Sequence, residues 1–369
     1  MSLRSYRALG NSGLLVSPLA LGTMTFGTPR WGMDAQASRA VFDRYVDLGG
    51  NFIDTADVYS GGASEEMVGA FVKDAGLRDR MVIATKSGFA TGNGTLSGGN
   101  GARHVHAAVD GSLGRLAVDV IDLYWIHIWD GITPAEELLE TMSGLIRAGK
   151  IRYWGLSNSP AWYVAQLVTL ARARGLPLPV GLQYFYSLVE RGAENEHIPL
   201  GRAFGLGLVP WSPLAYDLLT GKYDRATVEA TPSRGGGVPN TGGVVGERPA
   251  GDKRLDGDNP FGDTLFTERN WRIVNEVKRV AREAGESPAR IALRWVVGRP
   301  GVASTLMGVS RSEQVTDNVA ALDLELSPEW LAALESVSSG SEGFLYGLFQ
   351  AQARNQIVLG GAEVVSSFD

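Results

Sequence analysis

A (β/α)8 TIM-type barrel is the fold predicted by this 369-residue chain, and three observations predict it. From residue 19 onward, eight short apolar runs rich in β-branched residues recur. Between them lie amphipathic stretches, and no shift in composition splits the chain into halves. Alternation of this kind argues parallel βα units. Eight of them without a break fit one barrel better than two doubly wound sheets. Hydrophobic residues make up 44% of the chain and charged residues 20%, enough to bury a large core.

Taken in order, residues 4–17 read as a β-hairpin turning at Gly10-Asn11-Ser12-Gly13 and placed to plug the barrel bottom. The eight runs are Leu19 to Thr25, Asn51 to Asp57, Met81 to Ser87, Ile121 to Trp129, Ile151 to Asn158, Val180 to Ser187, Leu208 to Ala215 and Val302 to Gly308. Helical periodicity between them is clear in Leu138, Leu139, Met142, Leu145 and Ile146, and again in Ile273, Val274, Val277, Val280 and Ala281. Thr133-Pro134-Ala135-Glu136 offers an N-cap, a first-turn proline and a capping-box glutamate, and Ser327-Pro328-Glu329 repeats the first two. Gly49, Gly76, Gly149, Gly175 and Gly285 read as helix stops.

The barrel proper spans 18–338 within one domain, 1–369. Residues 216–266 hold ten glycines after the seventh strand and form a long mouth loop. Much of the glycine excess, 48 in all against a usual share of about 7%, falls there and at the helix stops. Residues 340–369 form a C-terminal extension whose Phe344, Leu345, Tyr346, Leu348 and Phe349 are too apolar for a solvated tail and are expected to pack on the barrel.

Composition narrows the chemistry. With no cysteine there is no disulfide, thiolate metal site or cysteine nucleophile. A net charge of −6 without a basic run argues against nucleic acid as a partner. No apolar stretch reaches the ~18 residues of a membrane span, and the start lacks an apolar signal core, so a cytoplasmic protein is expected.

The catalytic face of such a barrel is the C-terminal end of its strands. There, polar residues interrupt one apolar run after another. Strand two ends in Asp54 with Tyr59 five residues on, strand three in Lys86, and strand four carries His127. Strand five ends in Ser157-Asn158, strand six carries Gln183, and strand seven carries Trp211-Ser212. Singly, each has a bland reading: packing for the tyrosine, solvation for the lysine, a satisfied core position for the histidine. Together, a buried lysine and aspartate would be costly unless paired. An ammonium beside a phenol favours the phenolate, which suits Tyr59 to give or take a proton. His104, His106 and His197 are expected at the surface. No serine nucleophile elbow, paired glycosidase carboxylates or metal-ligand spacing appears. Proton transfer to a carbonyl oxygen is the simple chemistry left, with electrons from a cofactor.

These residues also carry a family resemblance. Gly50-Asn51-Phe52-Ile53-Asp54-Thr55-Ala56-Asp57-Val58-Tyr59, Ser112-Leu113-x-Arg115-Leu116 with Ile121-Asp122-Leu123-Tyr124 and His127, Gly155-Leu156-Ser157-Asn158, and Trp211-Ser212-Pro213-Leu214 with Leu219-Thr220-Gly221-Lys222-Tyr223 resemble the aldo-keto reductases. The resemblance runs in order over residues 4 to 338. It implies a barrel that binds NADPH across its mouth, and no Rossmann G-x-G-x-x-G is present. It implies a tetrad of Asp54, Tyr59, Lys86 and His127, in which Tyr59 gives the carbonyl its proton, Lys86 with Asp54 tunes it, and His127 orients the substrate. Ser157, Asn158 and Gln183 are implied for the nicotinamide carboxamide, with Trp211 stacked on the ring where many relatives carry tyrosine. Thr23, Met24, Ser212, Pro213, Leu214, Gly221 and Lys222 are implied along the cofactor, the last three in the loop that holds the pyrophosphate. Gly308, Ser310, Arg311, Gln314 and Asn318 match the adenosine site, where a helix N-terminus and Arg311 suit a 2′-phosphate. The plainer reading of Ser310-x-x-Glu313 is a capping box.

Phe26, Trp31, Phe89, Trp129 and Tyr216, with Tyr59 and His127, are expected around the substrate and favour an apolar, aromatic or ring-shaped (sugar) carbonyl compound. The branch resembles bacterial reductases related to potassium-channel β subunits, so the alternative is an NADPH-binding regulatory or sensor subunit.

Overall fold

The computed structural model describes residues 1–28, 32–229, 255, 264–340, 344–349 and 356–361; Trp31 and most of the long loop lie outside them. At the start, β1 (Arg7–Ala8) and β2 (Leu15–Val16) pair antiparallel as the predicted hairpin. The barrel follows as β3 (Leu19–Gly22), α1 (Ala35–Asp47), β4 (Phe52–Asp54), α2 (Ala63–Asp74), β5 (Val82–Ser87), α3 (Ala102–Leu116), β6 (Ile121–Ile126), α4 (Ala135–Arg147), β7 (Ile151–Ser157), α5 (Ala161–Arg174), β8 (Gly181–Gln183), α6 (His197–Phe204) and β9 (Gly207–Leu208). Then come α7 (Arg225–Glu229), α8 (Glu268–Ala284), α9 (Pro288–Val297), β10 (Thr305–Gly308), α10 (Ser312–Ala320), α11 (Pro328–Ser338) and α12 (Phe344–Phe349).

The eight barrel strands pair in parallel in the order β10-β3-β4-β5-β6-β7-β8-β9. Closure comes from a parallel bridge between Leu208 and Val302, with Leu208 N–H on the Gly301 carbonyl at 2.9 Å and Ala303 N–H on Leu208 at 2.8 Å. Most strands are shorter than the apolar runs that announced them. After β9, for example, Ser212 and Ala215 take left-handed φ values of 49° and 48°, which no strand accommodates.

Side-chain alternation sorts the core into two parts. Inside the barrel, Ala20, Phe52, Ala84, Leu123, Trp125, Val209 and Leu306 meet Leu9, Leu14 and Val16, so the hairpin does plug the bottom. Trp125 fills the interior because Gly155 and Gly181 stand beside it; a Cβ on either would come within 2.4 or 2.9 Å of the indole. The outward set, including Ile83, Tyr124 and Leu156, packs under the helices with Leu138, Met142, Ile273 and Val277.

All five predicted stop glycines have positive φ, and Ser327 caps α11 by accepting from Trp330 N–H. The expected capping box at α4 does not form. Pro134 takes the N-cap position, and the Thr133 hydroxyl donates instead to Asp130 at 2.6 Å. The C-terminal extension also departs from expectation where it is described. In α12, Leu345 and Phe349 are 63% and 67% exposed, and Tyr346 reaches Glu196 through a 2.8 Å hydrogen bond. Among the described residues, no helix is long and apolar enough to cross a membrane.

Candidate active site

The site grows from the ends of β4, β5 and β6. Beyond Asp54 the chain stays tied to β5, with Thr55 N–H on the Ala84 carbonyl at 2.9 Å and Asp57 N–H on the Lys86 carbonyl at 3.1 Å. It then enters a short 3-10 turn, Tyr59–Gly62, whose Ser60 and Gly61 are left-handed. This turn carries the Tyr59 ring to within 4.8 Å of the Lys86 Nζ.

Lys86 is fully buried. Its ammonium is ion-paired with Asp54 and donates to the Thr55 carbonyl at 2.7 Å and the Tyr59 hydroxyl at 3.3 Å. Gln183 Nε2 occupies the other Asp54 oxygen at 3.0 Å. Partners on every side are what make so deep a charge tolerable. Burial works against the ammonium, but the Asp54 carboxylate and the Tyr59 phenol more than offset it, so the Lys86 pKa is raised.

His127 leaves β6 with its N–H on the Ser87 carbonyl at 2.8 Å. Its ring stands edge-on to Tyr59 and Phe89, at 6.0 and 4.4 Å between centroids. Burial, with Lys86 as a lesser cause, holds its pKa well below the usual imidazole value, so the ring is neutral at neutral pH. The buried His127 Nδ1 has no hydrogen-bond partner among the described residues.

Asp54, Tyr59 and His127 line one end of a cavity of about 690 Å³; Lys86 stands behind the wall. The cavity continues past Ser157, Asn158, Gln183 and Trp211 to Gly308 and Asn318, with Thr23, Met24, Ser212, Pro213, Leu214, Phe89 and Tyr216 along its sides. Asn158, itself left-handed, ties the region together. Its amide donates to the His127 carbonyl at 3.0 Å and the Ser157 hydroxyl at 2.9 Å, and its oxygen accepts from Trp211 Nε1 at 3.2 Å. The Trp211 indole is stacked on Phe185 at 4.8 Å.

Gly221 and Lys222 lie outside the cavity wall, where Lys222 pairs with Asp217 at 2.6 Å. Ser310, Arg311 and Gln314 lie just beyond the wall at the start of α10. That helix begins at Ser312 with Arg311 as N-cap and no side-chain cap, so the capping box of Ser310 and Glu313 is not formed. Gln314 Oε1 instead accepts from Ser310 N–H at 2.7 Å and leaves the helix end open to an anion.

Two expected substrate aromatics stand elsewhere. Phe26 is fully buried against Phe71, and Trp129 packs on Trp162 and Tyr163. Trp31 lies outside the described residues. His197, expected at the surface, is half-buried on Tyr184, with a ring nitrogen 3.0 Å from the Ser159 carbonyl; His104 is half-buried as well. Val58, Ser60, Ile128 and Met307 line the cavity without having been singled out. Their neighbours in sequence Tyr59, His127 and Gly308 were the available signal. Among the described residues no three His, Asp or Glu side chains group as a metal site.

Comparison with known proteins agrees with this architecture. The aldo/keto reductase family model matches residues 18–339. A probable voltage-gated potassium channel β subunit of Oryza sativa is 34% identical, with 90% of this chain and 96% of the relative covered. An oxidoreductase of Bacillus subtilis is 32% identical over 92% of this chain and 97% of its own. An NADP(+) aryl-alcohol dehydrogenase of Phanerodontia chrysosporium is 30% identical over 91% and 86%. With the barrel, the strand-end residues and this match across nearly the whole chain, the protein belongs to the aldo/keto reductase family.

Proposed function

We propose that this protein is an NADPH-dependent carbonyl reductase, reversibly converting an apolar, aromatic or ring-shaped aldehyde or ketone to its alcohol. The observation that carries the reading is the hydrogen-bonded chain from Asp54 through Lys86 to Tyr59, opening beside a neutral His127 at one end of a long cavity.

The cavity suits an extended dinucleotide. Asn158 and Gln183 present amides near the Tyr59 end, Trp211 offers an aromatic wall, and the far end meets the uncapped α10. Ser157, Asn158 and Gln183 would hold the nicotinamide, Thr23, Met24 and Ser212 to Leu214 the middle, with Gly221 and Lys222 closing over it. Gly308, Ser310, Arg311, Gln314 and Asn318 would hold the adenosine end, where Arg311 favours a 2′-phosphate. Bound there, NADPH supplies a hydride to the carbonyl carbon.

This chain's own residues do the rest. Tyr59 donates its hydroxyl proton to the carbonyl oxygen, and Lys86, kept charged by Asp54, stabilises the phenolate left behind. Neutral His127 donates a hydrogen bond to the same oxygen without competing as an acid. Phe89 and Tyr216 give the substrate an apolar surround. The Phanerodontia relative, an aryl-alcohol dehydrogenase, supports the aromatic choice.

The names of the channel-subunit relatives favour a second reading, an NADPH-binding regulatory subunit. A panel of carbonyl compounds followed by NADPH consumption separates the two. Turnover supports the reductase, whereas tight NADPH binding with none across the panel supports the regulatory subunit.

A further inference from the structure

Behind the strand that carries Lys86 lies a second buried polar cluster that the reaction above leaves unused. Ala84 belongs to the barrel interior and Ile83 to the outer core, so Lys86 points inward while Thr85 and Ser87 face the helices. There Glu65, fully buried at the start of α2, accepts from the Thr85 hydroxyl at 2.5 Å and from Arg115 Nε at 2.6 Å. Arg115 also closes the Tyr59–Gly62 turn from behind: a Cβ at Gly62 would sit 2.7 Å from its Cδ.

Into this cluster Asp57 sends a carboxyl from a residue only 5% exposed. The charged groups around it are Glu65 from α2, Arg115 from α3 and Lys86 from β5, with the Tyr124 phenol from β6 and Tyr59 two residues along its own segment. Lys86 is committed to Asp54, and Arg115 spends its Nε on Glu65. Two carboxyls therefore share one guanidinium. Asp57 is the one left over: its Oδ1 has no hydrogen-bond partner among the described residues, and the Val58 N–H is the backbone donor that favours its charged form. Burial, and next the charge of Glu65, push the Asp57 pKa up to about 7 against the pull of Arg115.

We propose that Asp57 is a positioning residue for Tyr59 and Lys86: as a neutral acid it lets the Tyr59 turn stay seated on β5, and on losing its proton it repels Glu65 and displaces that turn. The lever is short, since Asp57 N–H is bonded to the Lys86 carbonyl and Tyr59 N–H to the Ala56 carbonyl, both at 3.1 Å. The inference rests on the carbonyl reductase reading.

The test is the pH dependence of kcat at saturating NADPH and carbonyl substrate. The wild type loses about tenfold through a limb centred close to pH 7. Asp57→Asn, which has the shape of the protonated acid, holds the acid-side rate across that limb. Glu65→Gln removes the like charge that displaces the turn, so the limb flattens in this variant as well. A limb that survives unchanged in Asp57→Asn overturns the role of Asp57 alone, whereas a wild type without turnover at any pH overturns the reductase reading itself. Should Asp57→Asn not fold, infrared titration of the wild type decides: a buried carboxyl band titrating near neutrality and shifted by Glu65→Gln supports the assignment, and its absence sinks it.

Discussion

The two ends of the cavity are built differently. At one end Asp54 and Lys86 are buried and paired with each other, touched by Tyr59 and Gln183, and both hang from strand ends inside the sheet's hydrogen bonding. In the loop after Trp211, Ser212, Ala215, Tyr216 and Asp217 all take left-handed φ values from 48° to 70°, whereas the Tyr59 turn has Ser60 as its one left-handed non-glycine residue, and α10 starts without a side-chain cap. Each non-glycine residue so placed costs about 1–2 kcal/mol. The contrast teaches a division of labour: the tetrad is held by buried, paired charges on strands, whereas the loop after Trp211 and the start of α10 concentrate left-handed backbone and an uncapped helix end, which on the proposed reading serve the cofactor.

The largest effect should come from breaking the paired end. Lys86→Met leaves the Asp54 carboxylate buried, with the Gln183 amide still on its other oxygen. Breaking such a pair costs about 3–5 kcal/mol of stability, read by denaturant unfolding, and turnover should drop by at least about 10²-fold. A variant as stable as the wild type would mean that the paired charges are not what the fold depends on.

Arg311→Ala attacks the open end and should behave oppositely. Arg311 is exposed and caps nothing through its side chain, so stability should stay within about 0.5 kcal/mol. NADPH affinity should fall about ten- to a hundredfold, the worth of a hydrogen bond between charged groups, while NADH affinity barely moves. Equal losses for both would remove the 2′-phosphate from the account.

The smallest effect sharpens the comparison. Ser212→Gly relieves a left-handed residue on the cavity wall, and Ala117→Gly relieves one at the exposed C-terminus of α3. Each should gain about 1 kcal/mol in unfolding free energy. Only Ser212→Gly should change NADPH affinity; if neither does, the strained loop is not part of the cofactor site.

The same contrast explains what could be read from the sequence. The paired end was legible because Asp54, Lys86, His127 and Gln183 are polar residues closing apolar runs, and strand ends fix where they point. Phe26 and Trp129 were not, because an aromatic residue past a strand end carries no mark of which side of the barrel wall it will face. Trp129 sits two residues beyond His127, but β6 has already ended at Ile126, so alternation no longer applies. Thr133 has the residue type of a cap, yet Asp130 three positions earlier takes its hydroxyl. The buried Asp57 and Arg115 lay within the motifs that carry the resemblance and Glu65 outside them, and only the fold brings two acids to one guanidinium.

The central claim is that Tyr59 supplies the proton at an already assembled site, and Tyr59→Phe tests it most directly. NADPH affinity and carbonyl-dependent NADPH oxidation should be measured on the same purified preparations of wild type and variant. The account predicts unchanged NADPH affinity with turnover lowered by at least about 10²-fold. Turnover in Tyr59→Phe equal to that of the wild type would contradict it.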